Sequence, residues 1–378
     1  MKATIIGPAY PLRGGIAHHV YWLWRELTER GHTVQVISFR QMYPKLFFPG
    51  TTEVDASRLK LDCGALPILT ALNPLTWRKA IREVKAFAPD AVVFEWWQPF
   101  FGMLTGRLAR WFREAGLKSI IECHNIVPHE GSPIDRWLSK YAFEPVDFFI
   151  AHSAGDREKL LGIAPGKSVI VSPLPSVDEF SAASESARDG RTILFFGKVR
   201  RYKGLGVLLD AMPKVLAAVD CQLLIVGEFY EPLSKYKEQI RKLGIEGRVQ
   251  IINRYVRNEE VPAIISQADV LVLPYVSASQ SGIGRIALSN GLPIIASRVG
   301  GLPELVAEGV TGLLFDAGDA NALAEQLIKY FNENLGPVFS RNISESPKET
   351  GYKIIEFIES VMRDDPATRA ALSYHNSA

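Results

Sequence analysis

The stretch FFGKVRRYKG holds Lys198, Arg200, Arg201 and Lys203 within six residues, between Gly197, which ends an apolar run, and Gly204. Like charges this close repel one another, and the dipole of a following helix opposes them as well. An anionic ligand removes that conflict; a solvated basic loop is the plainer alternative. A second stretch, SASQSGIGRIALSNGLPIIAS from Ser277 to Ser297, has a complementary character, with no Asp or Glu anywhere between Asp269 and Glu304. A helix N-terminus leaves backbone N–H groups unpaired and carries partial positive charge, so it seats phosphate well. Gly282 and Gly284 would let a ligand approach the backbone there. The alternative is a polar strand-to-helix loop capped by Ser281. Taken together, the two stretches describe a pyrophosphate clamp of backbone amides and fixed positive charge.

The first half offers fewer such groups. GPAYPLRGGIAHHV carries Gly14 and Gly15 ahead of a helix, a candidate for close backbone approach, but it lacks the full G-x-G-x-x-G spacing of a dinucleotide site. His18 and His19 fall in the first turns of that helix and read as cap or core histidines. In IIECHNIVPHE, His124 follows directly on an apolar strand, where an imidazole can orient or stabilise a reacting group near neutral pH. His129 and Cys123 lie near it without a trustworthy zinc-ligand spacing, so no metal site is expected.

Alternating elements must position these residues. Short β-rich runs (3–7, 33–39, 91–96, 119–123, 147–152, 168–172) interleave with helical patterns, and a fresh winding (192–197, 222–227, 249–253, 270–275, 293–297, 312–315) follows a Pro/Ser-rich gap. The class is α/β, two Rossmann-like domains with parallel sheets whose strand ends would face across a cleft. The expected boundaries are 1–175 for an N-terminal domain, with 352–378 packing back on it, and 190–335 for a second domain. Residues 176–189 and 336–351 are expected as linkers.

Composition narrows the partners. A net charge of +2, with 21 basic and 18 acidic residues in 1–180 against 22 and 23 in 181–378, is no basic footprint for nucleic acid. Three dispersed cysteines suit a reducing cytoplasm. No apolar run approaches the roughly 20 residues needed to span a bilayer. Trp77 with Arg78, Lys79, Arg82 and Lys85, and Trp111 with Arg107, Arg110 and Arg113, form basic-aromatic helix faces. These read as solvated amphipathic faces, with peripheral docking on the inner face of an anionic membrane as the alternative.

In order and spacing, the Gly14-Gly15 loop, ECHN around His124, FFGKVRRYKG, LLIVGE, ADVLVLPY and GLPIIASRVGGLPELV resemble the retaining GT-B glycosyltransferases of family 4, the glycosyl transferases group 1. The resemblance runs through most of the chain. It implies that 1–175 is the acceptor side and 190–335 the donor domain. It implies that Lys203 contacts the donor diphosphate and that Arg200 or Lys198 takes the place of the accompanying arginine. The usual Gly-Arg opening is Gly197-Lys198 here, so Arg200 is the choice, with Lys198 kept in the donor-binding set. It implies that amides around Ser281, Gly282 and Ile283 cradle the pyrophosphate, and that backbone near Tyr255 and Val256 holds the base. It also places Gly227 in the donor set, His124 near the transferred sugar, and Gly14 and Gly15 against phosphates or acceptor. Most relatives carry paired glutamates across the Ser277–Asn290 segment, and both are missing here. Gln280 becomes the candidate for sugar hydroxyls, because an amide both donates and accepts. Glu304 is the nearest acid to serve the ribose, although capping the next helix is its plainer role.

The implied reaction is transfer of a sugar from a nucleotide-diphosphate sugar (UDP- or GDP-linked) to a hydroxyl acceptor, with retention and without a metal or other cofactor. Two rivals stand beside it. A nucleotide-sugar 2-epimerase of the same fold would form an epimer without acceptor. A non-catalytic sugar or nucleotide binder would give neither hydrolysis nor transfer. Oligomeric state is not legible in this sequence.

Overall fold

Polar caps fix where several helices begin. Asn73 accepts from the Leu75 amide ahead of the first turn, Ser132 and Asp135 close a reciprocal capping box, and Ser153 accepts from the Asp156 amide. Each supplies an acceptor to first-turn N–H groups that have no helical partner. Between the helices run short apolar segments buried on both faces, as parallel strands require. The structure, a computed structural model, describes residues 1–43, 52–126, 132–176, 178–180 and 191–374. Its contacts divide it into two units: Met1–Ala56, Lys60–Pro173 and Gly351–Ala378 in the first, Ser57–Leu59 and Leu174–Thr350 in the second.

Among the described residues, the strands of the first unit are β1 Lys2–Ile6, β2 Thr33–Gln41, β3 Leu66–Thr70, β4 Ala91–Trp96, β5 Lys118–Cys123, β6 Phe148–Ala151 and β7 Ser168–Val171. They form one parallel sheet in the order β3-β2-β1-β4-β5-β6-β7. Helices α1 Gly15–Glu29, α2 Pro74–Phe87, α3 Gly102–Glu114, α4 Pro133–Phe143 and α5 Ala154–Ile163 connect them. One face of the sheet packs Phe94, Ile121 and Phe149 against α2 to α5, and the other packs Ile5, Val93 and Ile120 against α1.

The second unit repeats the plan with β8 Thr192–Phe196, β9 Gln222–Val226, β10 Val249–Ile252, β11 Val270–Leu273, β12 Ile294–Ser297 and β13 Gly312–Phe315. Their order is β10-β9-β8-β11-β12-β13. Its helices are α6 Leu205–Ala218, α7 Leu233–Lys242, α8 Val261–Ser266, α9 Gly282–Ser289, α10 Leu302–Leu305, α11 Ala320–Asn332 and α12 Leu335–Glu345. Strand order reverses between β8 and β11, and open α/β sheets seat ligands at strand C-terminal ends beside such a reversal. The segment Ser57–Leu59 is held in this unit by the Asn258 amide on Ser57 Oγ at 2.9 Å and by the Arg58 and Leu59 amides on the Glu259 carboxylate.

The chain then returns to the first unit as α13 Tyr352–Arg363 and α14 Pro366–Tyr374. Ile354, Ile355, Phe357, Ile358 and Val361 of α13 are fully buried in the core that α1 covers. Burial of such side chains is worth roughly 1.5–3 kcal/mol each. His32 Nε2 lies 2.9 Å from Glu359 Oε1, and Lys118 Nζ donates to the Val361 carbonyl at 3.1 Å.

Several elements differ from the expectation. The expected linker 336–351 instead begins inside a helix, α12 Leu335–Glu345, because Phe339 and Ile343 make a buried i, i+4 pair that Gly336 and Pro337 had disguised. Helices α4 and α5 and the edge strand β3 were not anticipated; β3 contains Pro67, which belongs at a sheet edge. Of the expected 176–189 linker, residues 177 and 181–189 lie outside the described residues, as does His129; Phe180 is buried and its carbonyl accepts from Asn290 Nδ2. On the basic helix faces, Arg110 and Arg113 pair with Glu144 and the Trp77 indole donates to the Thr70 carbonyl. Among the described residues no helix is long and apolar enough to cross a membrane.

Candidate active site

In the second unit, four loops converge at the strand ends beside the β8/β11 reversal. Gly197 and Gly227 end β8 and β9 with φ of 120° and 141°, and a Cβ on Gly227 would stand 2.0 Å from the Gly197 carbonyl oxygen. Only glycine permits that approach at those dihedrals. The loop after β8 is pinned to its neighbours by Val199 N–H on the Glu228 carbonyl at 2.9 Å, and by Val276 N–H on the Tyr202 carbonyl at 2.8 Å. These bonds gather the cations: Lys203 Nζ stands over the Tyr275 ring at 5.3 Å, while Arg200 and Lys198 lie over Tyr230 at 4.8 and 5.7 Å. Neither Arg200 nor Lys203 makes an ion pair among the described residues. Burial pulls the Lys203 ammonium below its ordinary pKa, and the Arg200 charge adds to this. A half-buried cation held without a carboxylate is costly to the fold, and an anionic ligand offsets that cost.

The loop after β11 lies beside this cluster. Ser281 is buried at the N-cap of α9, accepts from the Gly284 amide at 3.3 Å, and lies 3.3 Å from the Tyr275 hydroxyl. Gly282 is exposed, and a Cβ on it would meet nothing within 4 Å. The loop rests on the VGG turn: Gly301 N–H donates to the Ser279 carbonyl at 2.8 Å, and the Gln280 amide nitrogen packs where a Gly301 Cβ would be. The structure thus gathers Lys198, Arg200, Lys203, Gly227, Gln280, Ser281, Gly282 and Ile283 around one end of one sheet. Tyr255 and Val256 follow β10 at the far edge, with Val256 buried. Glu304 sits exposed inside the first turn of α10, whose N-cap is Gly301.

The first unit holds a second cluster, most of which the sequence reading missed. Side chains alternate along a strand, so Glu95, Glu122 and His152 continue the rows of Val93, Ile120 and Ile150 on the face that α1 covers. Glu95 and Glu122 are register partners on β4 and β5. His124 follows β5 on the same face, and His19 descends from α1. His19 Nε2 lies 2.8 Å from Glu122 Oε1, His152 Nε2 lies 3.5 Å from the same oxygen, and His124 Nε2 lies 2.5 Å from Glu95 Oε2. The His124 ring is 4.9 Å from that of His19 and 5.1 Å from that of His152. His152 Nδ1 lies 2.9 Å from the Ser172 carbonyl, which accepts from it and so fixes its tautomer. A Cβ on Gly7, at the end of β1, would stand 2.5 Å from Glu95 Cγ, so this glycine makes room for the carboxyl group. Gly14, with φ 126°, caps α1, and a Cβ on Gly15 would meet nothing within 4 Å.

Burial alone would neutralise His19, but the Glu122 carboxylate outweighs it and lifts the imidazole to about 9. Glu122 is held below the usual carboxylate range: burial opposes ionisation, and the His19 charge overcomes it. Burial pulls His124 down to about 3 and His152 to about 4. A base raised above its unfolded value of 6.5 stabilises the fold fully below that pH, and this contribution is lost as pH rises through about 9. We expect the urea midpoint to fall between pH 6.5 and 9, with a slope of about 1.4 kcal/mol per pH unit for each proton. A midpoint that climbs across this window contradicts the ion pair.

His19, Glu95 and His124 come nearest to a metal-ligand set, with one donor atom each within 4.8 Å of the others. That span exceeds the roughly 3–4 Å between ligand atoms around one transition metal with bonds of about 2.1 Å. The donors are also engaged with each other and with Glu122, so the group does not fit an ion as it stands.

Two parallel sheets with interleaved helices, one carrying the gathered cations and glycine loops at its strand ends and the other the buried His–Glu cluster, are the architecture of the GT-B class. Residues 190–333 match the family described as Glycosyl transferases group 1, and residues 14–173 match the Glycosyl transferase 4-like domain. The chain belongs to the group 1 glycosyltransferases. It is 25% identical to the N-acetyl-alpha-D-glucosaminyl L-malate synthase of Bacillus anthracis, over 97% of this chain and 99% of that one. It is 34% identical to the phosphatidyl-myo-inositol mannosyltransferase of Mycobacterium leprae, over 40% of this chain and 41% of that one. Among solved structures, sucrose-phosphate synthase from Thermosynechococcus elongatus superposes with a TM-score of 0.73 at 19% identity, covering 96% of this chain and 99% of that one. Anabaena HepE in complex with UDP gives 0.72 at 15%, covering 96% and 100%.

Proposed function

We infer that this enzyme moves a sugar from a nucleoside-diphosphate sugar to a hydroxyl acceptor with retention of anomeric configuration. The observation that carries the donor reading is the convergence of Lys203 and Arg200, neither in an ion pair among the described residues, with the α9 N-terminus at the strand-order reversal of the second unit. A departing diphosphate develops negative charge as its bond to the sugar breaks. Lys203 and Arg200, with the Gly282 and Ile283 amides, stabilise that charge, and a metal ion is not required for it. The solved relative of the same fold with UDP supports a nucleoside diphosphate as the group held. Gln280, packed on Gly301, is assigned to the sugar hydroxyls, and His124 to the transferred sugar. Retention follows from kinship with the family rather than from any distance in this chain.

The test is incubation with a panel of UDP- and GDP-sugars in excess EDTA, scored by NMR. Transfer or slow hydrolysis from one donor, with the α configuration kept in any product of an α-linked donor, is expected. Formation of a 2-epimer, or dependence on an added divalent ion, overturns the respective part of the reading.

A further inference from the structure

Two carboxyl groups on neighbouring strands, both almost fully buried, share one face of the first unit. Glu95 and Glu122 are register partners with 4% and 0% of their surface exposed. Like charges at cross-strand distance in a low-dielectric interior do not both ionise unless each has its own cation. The groups facing them are His19 from α1, His124 after β5 and His152 after β6. His19 is committed to Glu122 at 2.8 Å, which leaves Glu95 with His124 as its partner. The second oxygen of Glu95, Oε1, is buried with no hydrogen-bond partner. A carboxylate would leave negative charge stranded there, whereas a carboxylic acid leaves only a carbonyl oxygen.

We propose that Glu95 is a protonated acid that donates its O–H to His124 Nε2, fixing His124 as the Nδ1–H tautomer. Glu95 is a positioning residue in this account. Burial first, and the Glu122 charge second, push its carboxyl group well above the ordinary range, while His19 opposes them in part. Had Glu95 been ionised, the His124 Nε2 would carry the hydrogen and Nδ1 a lone pair, making His124 a base. The same heavy-atom contact therefore encodes opposite chemistries, and the proton count decides between them. A neutral donor suits a sugar hydroxyl or a diphosphate oxygen, both of which accept. That last step alone rests on the glycosyl-transfer reading.

The experiment uses the full chain with 15N-labelled histidine, His124 being assigned by its disappearance in a His124→Asn variant. Near neutral pH the His124 shifts should show a protonated Nδ1 and an acceptor Nε2. A Glu95→Gln variant, whose amide also donates, should keep that pattern, and Glu95→Ala should lose it. With any donor that turns over, Glu95→Ala should fall by about 10²-fold or more in kcat/KM, and Glu95→Gln should restore it to within about threefold of the parent. The opposite tautomer in the parent protein overturns the proposal. So does a Glu95→Gln variant that melts like the parent yet is as impaired as Glu95→Ala. The NMR result stands whether or not any sugar donor is turned over, so failure of the transfer reading remains a separate outcome.

Discussion

Replacing Lys203 with alanine should lower sugar transfer by about 10²–10³-fold, the loss typical of removing one preorganised group that meets developing negative charge. The stability of the unliganded protein should hold or rise at the same time. Lys203 is half-buried, makes no ion pair among the described residues, and is pulled below its ordinary pKa by burial. A cation in that state costs the fold something, so deleting it removes a penalty. A lysine kept for folding would show the reverse pair of effects. Transfer by Lys203→Ala at the parent rate, measured with saturating donor, would remove Lys203 from the reaction.

Gly204→Ala should have the largest effect on the second unit. Gly204 has φ 68°, and a Cβ there would stand 1.8 Å from the Pro274 carbonyl oxygen, which is backbone and cannot swing aside. The left-handed conformation alone costs a residue with a Cβ about 1–2 kcal/mol, and displacing the β11 loop brings the total to about 3–4 kcal/mol. Because that loop leads into Ser281 and Gly282, donor binding should fail with it. Gly282→Ala is the contrast: a Cβ there meets nothing within 4 Å, so the melting temperature should stay close to the parent's. A Gly204→Ala protein with parental melting and donor affinity would show that the two loops are not locked together as described.

The second unit was largely legible in the sequence. Its cations, its carboxylate-free loop and its glycines lie in two contiguous stretches, and each carries its own physical oddity. The first-unit cluster was not read, because its members are scattered over β4, β5, β6 and α1. Its signal was nonetheless present in strand alternation. AVVFEW, SIIECH and FFIAH each replace an aliphatic residue with Glu or His at the last position on the α1-covered face. His19 read as a core or cap histidine because its partner, Glu122, stands far away in sequence. Helix α12 was hidden by Gly336 and Pro337, which are tolerated in its first turn, and α5 by a sequence with little apolar stripe.

The central claim is that the second unit seats a nucleoside diphosphate through Lys203 and the α9 N-terminus. Isothermal calorimetry of the whole chain with UDP and with GDP tests it most directly. One of the two should bind with a Kd well below millimolar, and Lys203→Ala should weaken that binding by about tenfold or more, one charge-assisted contact being worth about 1.5–3 kcal/mol. Heat-silent titrations of both nucleotides at millimolar concentration, or equal affinity in the parent and Lys203→Ala, would contradict the account.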